Sequence, residues 1–192
     1  MPIAINGSGT VTGISVGGLP DGIVDTDMLA ANAVATAKIA DNAVTAAKRG
    51  AGAILQVIQK ETTASATTTS SSIQDYTGLT QAITLSDSSN KVLVQLNTQW
   101  QAYGDEDRRI AITLHDAAIT DGNFIAQGEY GDYKNDDSNS YSFGVGTFTV
   151  LHTPSASSAT YRIGYRSLDG ATVGLQGATY TRSYITLMEI AA

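Results

Sequence analysis

Apolar and polar residues alternate through the C-terminal two-thirds of the chain, from residue 51 to residue 192. The segment Lys91–Tyr103 shows this most clearly, because glutamines and an asparagine separate its apolar residues Val92, Val94, Leu96, Trp100 and Ala102. Successive side chains of a β-strand point to opposite faces, so this pattern predicts a strand with one buried face.

Similar short segments recur up to Arg182–Ile190, and turn sequences such as Asp121-Gly122-Asn123 and Asp169-Gly170 separate them. About nine short strands joined in this way are typical of a β-sandwich or jelly roll. We therefore predict a mainly β protein whose residues 51–192 form an antiparallel, jelly-roll-like head domain. Around Gly146 the apolar residues change phase, from Tyr141, Phe143 and Val145 to Phe148 and Val150, which predicts a β-bulge.

The last predicted strand is apolar on both faces. One face would pack against the core of the domain and the other against neighbouring subunits. Ile185 and Leu187 are our candidates for the subunit interface in this strand.

Residues 23–50 contain a ten-residue repeat, in which Val24, Val34 and Val44 hold one phase and Leu29 and Ile39 hold another. A period of ten fits neither a continuous helix nor a single strand. We interpret the segment as a stalk of short helical turns that stack against copies in other chains, with these five residues in a trimer interface. The alternative is a single alanine-rich amphipathic helix.

Residues 1–22 are rich in Gly, Ser and Thr and cannot bury enough surface to fold alone. We predict an extended N-terminal anchor that docks on a partner, with a terminal tail that has no partner as the alternative. The sequence shows no secretory signal and no apolar run of the ~20 residues needed to cross a bilayer.

The net charge of −7 argues against nucleic acid or an anionic membrane as a partner. The absence of cysteine excludes a thiolate zinc site and a cysteine nucleophile. His115 and His152 have no metal-binding or catalytic spacing, so we predict no cofactor, no metal and no enzymatic activity. The carboxylates of Asp105-Glu106-Asp107 and Asp136-Asp137 could serve a glycosidase, but the domain is too small for the long, grooved β-helix that phage depolymerases usually need. Oxygen donors in residues 132–139 could hold calcium, but their spacing is not that of an EF-hand.

The decads with Asn-Ala-Val and Ala-Lys-Ile resemble the stalk repeats of tailed-bacteriophage fibre proteins, especially those of marine and cyanobacterial phages. In the head, Tyr76-Thr77-Gly78-Leu79, Asn90-Lys91-Val92-Leu93-Val94 and Ser183-Tyr184-Ile185-Thr186 resemble the heads of those fibres. Such heads are similar to the trimeric jelly rolls of the tumour-necrosis-factor and complement type. The resemblance implies a homotrimer, made in the host cytoplasm and located in the virion, that reaches tail or capsid proteins through residues 1–22.

A trimeric tail fibre would contact the host surface with its head. Aromatic rings stack on sugars while carboxylates and amides bond their hydroxyl groups, which predicts a host surface glycan as the receptor. The candidate receptor-binding residues are Tyr103, Asp105, Tyr130, Asp132, Tyr133, Asn135 and Tyr141. The same residues could be ordinary strand-end tyrosines and polar loops. A capsid head fibre or cement protein is the alternative function, and a secreted binding module is a third.

Overall fold

The computed structural model describes Val34, Ile39, Ala43, Val44 and residues 48–104, 107–120, 122–132, 140–177 and 181–192, with only the backbone of Asp132 and Ser140. The chain divides into two units, Met1–Thr45 and Ala46–Ala192. The predicted anchor 1–22 and most of the predicted stalk 23–50, including Val24 and Leu29, lie outside the described residues. Val34, Ile39 and Val44 are exposed.

Residues 46–192 form a mainly β, jelly-roll-like sandwich of two antiparallel sheets. Its strands are β1 (Ile54–Thr62), β2 (Ala66–Thr68), β3 (Gln74–Asp75), β4 (Gln81–Thr84), β5 (Lys91–Gly104), β6 (Arg108–His115), β7 (Ala126–Asp132), β8 (Ser140–His152), β9 (Ser158–Ser167), β10 (Thr172–Leu175) and β11 (Ser183–Ile190). A 3₁₀ turn at Thr77–Leu79 precedes β4. The predicted fold class is confirmed.

The first sheet is built around β5, which pairs along its length with β8 on one side. On its other side β5 pairs first with β11 and then with β10, while β1 pairs with β11 and β2 with β10. The second sheet has the order β3-β9-β6-β7, and β4 also pairs with β9. Both sheets are antiparallel, as the alternating sequence pattern predicts.

The hydrophobic core lies between the sheets, and the alternation in the sequence selects the side chains that fill it. Val92, Val94, Leu96, Trp100 and Ala102 of β5 are all buried, as predicted. The facing sheet contributes alternate residues of two strands: Ile110, Ile112 and Leu114 of β6, and Tyr161, Ile163 and Tyr165 of β9.

The predicted bulge at Gly146 is wrong, because β8 pairs with β5 residue for residue from Ser140 to His152. Tyr141, Phe143 and Val145 lie on the solvent face, and Phe148 and Val150 pack on the core face of the same regular strand. The core-face positions between them are glycines because the space is already filled. A Cβ at Gly144 would lie 2.9 Å from Trp100 Cζ2, and one at Gly146 would lie 2.8 Å from Ile112 Cδ1.

The head has two distinguishable ends. At the proximal end, the residues before β1 pair with the residue after β11. Gly52 N–H donates to Ala191 C=O (2.8 Å), and Ala191 N–H donates to Ala53 C=O (2.9 Å). At the distal end Tyr103 of β5 lies opposite both Tyr141 of β8 and Thr172 of β10. The strands of the first sheet therefore run from the end where residues 50–53 enter to the end that carries Tyr103 and Tyr141.

Candidate functional site

Two of the predicted receptor residues meet at the distal end. Tyr103 and Tyr141 are cross-strand neighbours whose ring centroids lie 5.4 Å apart at 35°. Tyr141 is mostly exposed and Tyr103 is half-buried. The backbone of Asp132 is at the same end, where it pairs with Arg108. Asp105, Tyr133 and Asn135 lie outside the described residues.

Tyr130, another receptor candidate, lies in β7. It is half-buried and packs against the core, with its ring stacked on Trp100 at a centroid distance of 6.0 Å and an interplanar angle of 30°. Gly146 gives the ring room, since a Cβ there would come within 3.2 Å of Tyr130 Cε2. Its alternation phase turns the ring toward the core, and its receptor role stays a prediction.

A hollow of about 440 Å³ opens beside this tyrosine pair. It is lined by Tyr103, Gly104, Asp107, Asp169, Gly170, Ala171 and Thr172. Arg109 fixes Asp169, because its Nε donates to Oδ2 at 2.9 Å and its Nη2 donates to Oδ1 at 2.5 Å. Gly170 lies in the left-handed region with φ 81°, which permits a tight turn without a side chain over the opening. Sequence reasoning missed this hollow because residues distant in the chain, Asp107 and Thr172, form it together.

The two trimer-interface candidates in β11 lie in the core of the single chain. Ile185 and Leu187 are both 0% exposed and belong to the chain's own core. A side chain that is already fully buried has no surface left to lose to a second subunit. Their assignment to the trimer interface is therefore corrected. On the other face of β11, Tyr184, Met188 and Ile190 are at least partly exposed, whereas Thr186 is buried and accepts a hydrogen bond from Gln59 Nε2.

The solvent face of the first sheet, which we call the outer face, is built from the other phase of the same strands. One apolar row crosses it near the proximal end, because Val57 lies opposite Met188, Met188 opposite Leu93, and Leu93 opposite Leu151. A polar belt of Gln59, Thr186, Gln95 and Thr149 follows. Beyond the belt, Val145, Phe143 and Tyr141 continue along β8 to the distal end. The sequence of β8 carries a signal for this face. Its apolar residues recur at alternate positions, and it contains no charged residue.

Both histidines make hydrogen bonds to other side chains of the head. His115 is fully buried, with Nδ1 3.0 Å from Asn123 Oδ1 and Nε2 2.8 Å from Thr113 Oγ1. His152 lies between Tyr161, whose hydroxyl is 2.9 Å from Nδ1, and Asp116, whose Oδ2 is 3.5 Å from Nε2. Tyr161 is fully buried, and burial followed by the charge of Asp116 raises the pKa of its hydroxyl. A buried phenol of raised pKa is poorly suited to act as a nucleophile.

A buried carboxylate closes the proximal end. Glu189 is 1% exposed. Its Oε1 accepts hydrogen bonds from Ser86 N–H (2.6 Å), Ser86 Oγ (2.7 Å) and Asn90 Nδ2 (2.6 Å), and its Oε2 accepts one from Gln56 Nε2 (2.6 Å). Burial alone would raise the pKa of this carboxyl, but the hydrogen bonds from Asn90, Ser86 and Gln56 outweigh burial and lower it. Glu189 therefore ties β1, the turn before β5 and the end of β11 together.

Within the part of the chain that the structure describes, no group of three or more His, Cys, Asp or Glu residues could hold a metal ion. Over the same part, no helix is both long enough and apolar enough to span a bilayer.

No protein-family model matches the sequence, and no curated protein matches it. Among solved structures the chain is similar to that of Eiger TNF from S. frugiperda, with 13% sequence identity and a TM-score of 0.30 over 70% of this chain and 93% of that chain. The jelly-roll assignment rests on the strand order and pairing given above.

Proposed function

We propose that this chain is a homotrimeric virion fibre protein, specifically a tail fibre, whose head domain contacts the host surface with its distal end. The ten-residue repeat and the resemblance to phage fibres support the identity of the fibre. The receptor class we propose is a saccharide on the host cell. Residues 1–22 would dock the fibre on other virion proteins.

The observation that carries the proposal is the separation of the two ends of the head. The segment that follows the repeat joins at the proximal end, where Gly52 and Ala53 bond Ala191. The paired rings of Tyr103 and Tyr141 and the hollow beside them lie at the other end of the same strands. A head carried on a stalk would thus present its aromatic end to whatever the fibre meets.

The chemistry of the distal hollow suits a sugar. The Tyr103 ring supplies a flat apolar wall, and Asp107 and Thr172 supply a carboxylate and a hydroxyl for sugar hydroxyl groups. Gly104, Gly170 and Ala171 leave the opening free of long side chains. Such a site binds weakly on its own, and three heads per fibre would raise the strength of attachment through multivalency.

The experiment is adsorption of phage particles that carry Tyr103→Ala or Asp107→Asn, with Phe124→Ala, a change outside the hollow, as the matched control. We expect slower adsorption for the first two variants and no change for the control. On a glycan array, the wild-type and Phe124→Ala heads should bind a host sugar, and the Tyr103→Ala and Asp107→Asn heads should bind it more weakly. Unchanged adsorption by folded variants would refute the receptor role. It would favour the alternative of a capsid head fibre or cement protein, which imaging of labelled particles would then locate on the capsid.

A further inference from the structure

The outer face concentrates the exposed apolar surface of the head. Among the described residues of 46–192, eight large apolar side chains are exposed, and six of them lie on this face: Val57, Tyr141, Phe143, Val145, Leu151 and Tyr184. Phe143 is 75% exposed and Tyr141 is 66% exposed. Large contiguous apolar patches mark surfaces that bind another molecule.

The same face is almost without charge, although the chain as a whole carries −7. Val92–Gly104 and Ser140–His152 contain no Asp, Glu, Lys or Arg. Glu61, paired with Arg182 at 2.5 Å, and Lys91 lie at its margins. Interface cores are depleted of charged residues, and two copies of an acidic chain repel each other least where neither carries charge.

The apolar row makes the face complementary to itself. Val57 stands at one edge of the four-strand span and Leu151 at the other, and both belong to the same row. In a ring of copies whose axis runs along the strands, residues of one row stay at one height. The Leu151 side of one head then meets the Val57 and Met188 side of the next.

We infer that a second copy of this chain occupies the outer face from the apolar row to the polar belt, with heads side by side and parallel and with β8 of one copy against β1 and β11 of the next. Tyr141, opposite Tyr103 and beyond the ends of β1 and β11, stays free at the distal end. The inference rests on the proposed trimer and supplies the surface that closes it. Three-fold rings require unlike surfaces to meet, and the two sides of the row provide them. The polar belt fixes the register, because sliding would leave the exposed amides of Gln59 and Gln95 and the exposed hydroxyl of Thr149 against apolar residues.

The absence of cysteine from the sequence allows a direct test in the full chain. Val57 and Leu151 are three strand spacings apart within one head, about 14 Å, whereas a disulfide needs Cα atoms about 4.4–6.8 Å apart. A chain carrying both Val57→Cys and Leu151→Cys can therefore crosslink only between copies. On oxidation we expect covalent trimers on a non-reducing gel, and none from either single variant or from the control pair Phe124→Cys with Leu151→Cys.

A second variant covers the case in which the cysteine pair disturbs folding. Leu151→Asp, in the apolar row and 54% exposed, should shift the mass of the folded chain from trimer to monomer, while the matched change Phe124→Asp should leave it trimeric. A wild-type trimer that neither crosslinks through the pair nor responds to Leu151→Asp would overturn the surface and leave the trimer standing. Dimers from a single cysteine variant would overturn the ring, since like sides would then be in contact. A monomeric wild-type chain would instead remove the proposed trimer itself.

Discussion

Glu189 offers the sharpest test of how the head is held together at its proximal end. Its carboxylate, at the end of β11, accepts four hydrogen bonds from two other segments of the chain, β1 and the turn before β5. In Glu189→Gln the amide oxygen can replace Oε1, but the amide nitrogen would face the Gln56 Nε2 donor that now lies 2.6 Å from Oε2. The variant thus loses one bond to a charged acceptor and weakens three.

Hydrogen bonds to charged groups contribute about 1.5–3 kcal/mol each, and neutral ones about 0.5–1.5 kcal/mol. Since such contributions do not add fully, we expect Glu189→Gln to lower the free energy of unfolding by about 2–3 kcal/mol at pH 7. Urea unfolding measures this, at one protein concentration because oligomer stability depends on concentration. The control is Glu61→Gln in the exposed pair with Arg182, which should cost about 0–1 kcal/mol.

The pH dependence gives an independent check of the same carboxylate. The pKa of Glu189 is lowered in the folded chain, so its contribution is present above the unfolded pKa of about 4.3 and is lost as the pH falls through the folded pKa. The stability gap between the wild type and Glu189→Gln should therefore narrow on acidification. A cost under about 0.5 kcal/mol at pH 7, within the range of ordinary surface changes, or a gap of constant size would refute this account of the proximal end.

Two further predictions concern the core. Gly144→Val should cost about 1–3 kcal/mol in unfolding free energy by overpacking, and should change the fluorescence of Trp100, the only tryptophan; unchanged emission and stability would contradict the close contact of 2.9 Å. Ile185→Asp places an unpaired charge in the core at a cost of several kcal/mol, so circular dichroism should show loss of the β fold; a folded variant would contradict the burial of Ile185.

The alternation of apolar and polar residues was sufficient to predict the sandwich and the buried side of β5. It was sufficient because a period of two fixes which face of a strand each side chain joins. It was not sufficient at β8, where the core-face positions Gly144 and Gly146 carry no apolar side chain of their own. Trp100 and Tyr130 fill that space from other strands. The sequence of β8 alone therefore suggests that its apolar residues change from one face of the strand to the other.

The candidate site was predicted only in part, for a related reason. Tyr103 and Tyr141 were named from composition, and the register of β5 with β8 brings them together. Ile185 and Leu187 were assigned to an interface because a strand apolar on both faces does not reveal which face meets the core. The distal hollow depends on Asp107 and Thr172, which only the pairing of β10 with β5 makes neighbours.

The measurement that tests the central claim most directly is the mass of the full chain in solution. Sedimentation equilibrium at micromolar concentration should give three times the 19.9 kDa of one chain, with no dependence on salt, because the contact that we infer on the outer face consists of apolar and neutral polar groups. A folded species of 19.9 kDa under these conditions would contradict the trimeric fibre head.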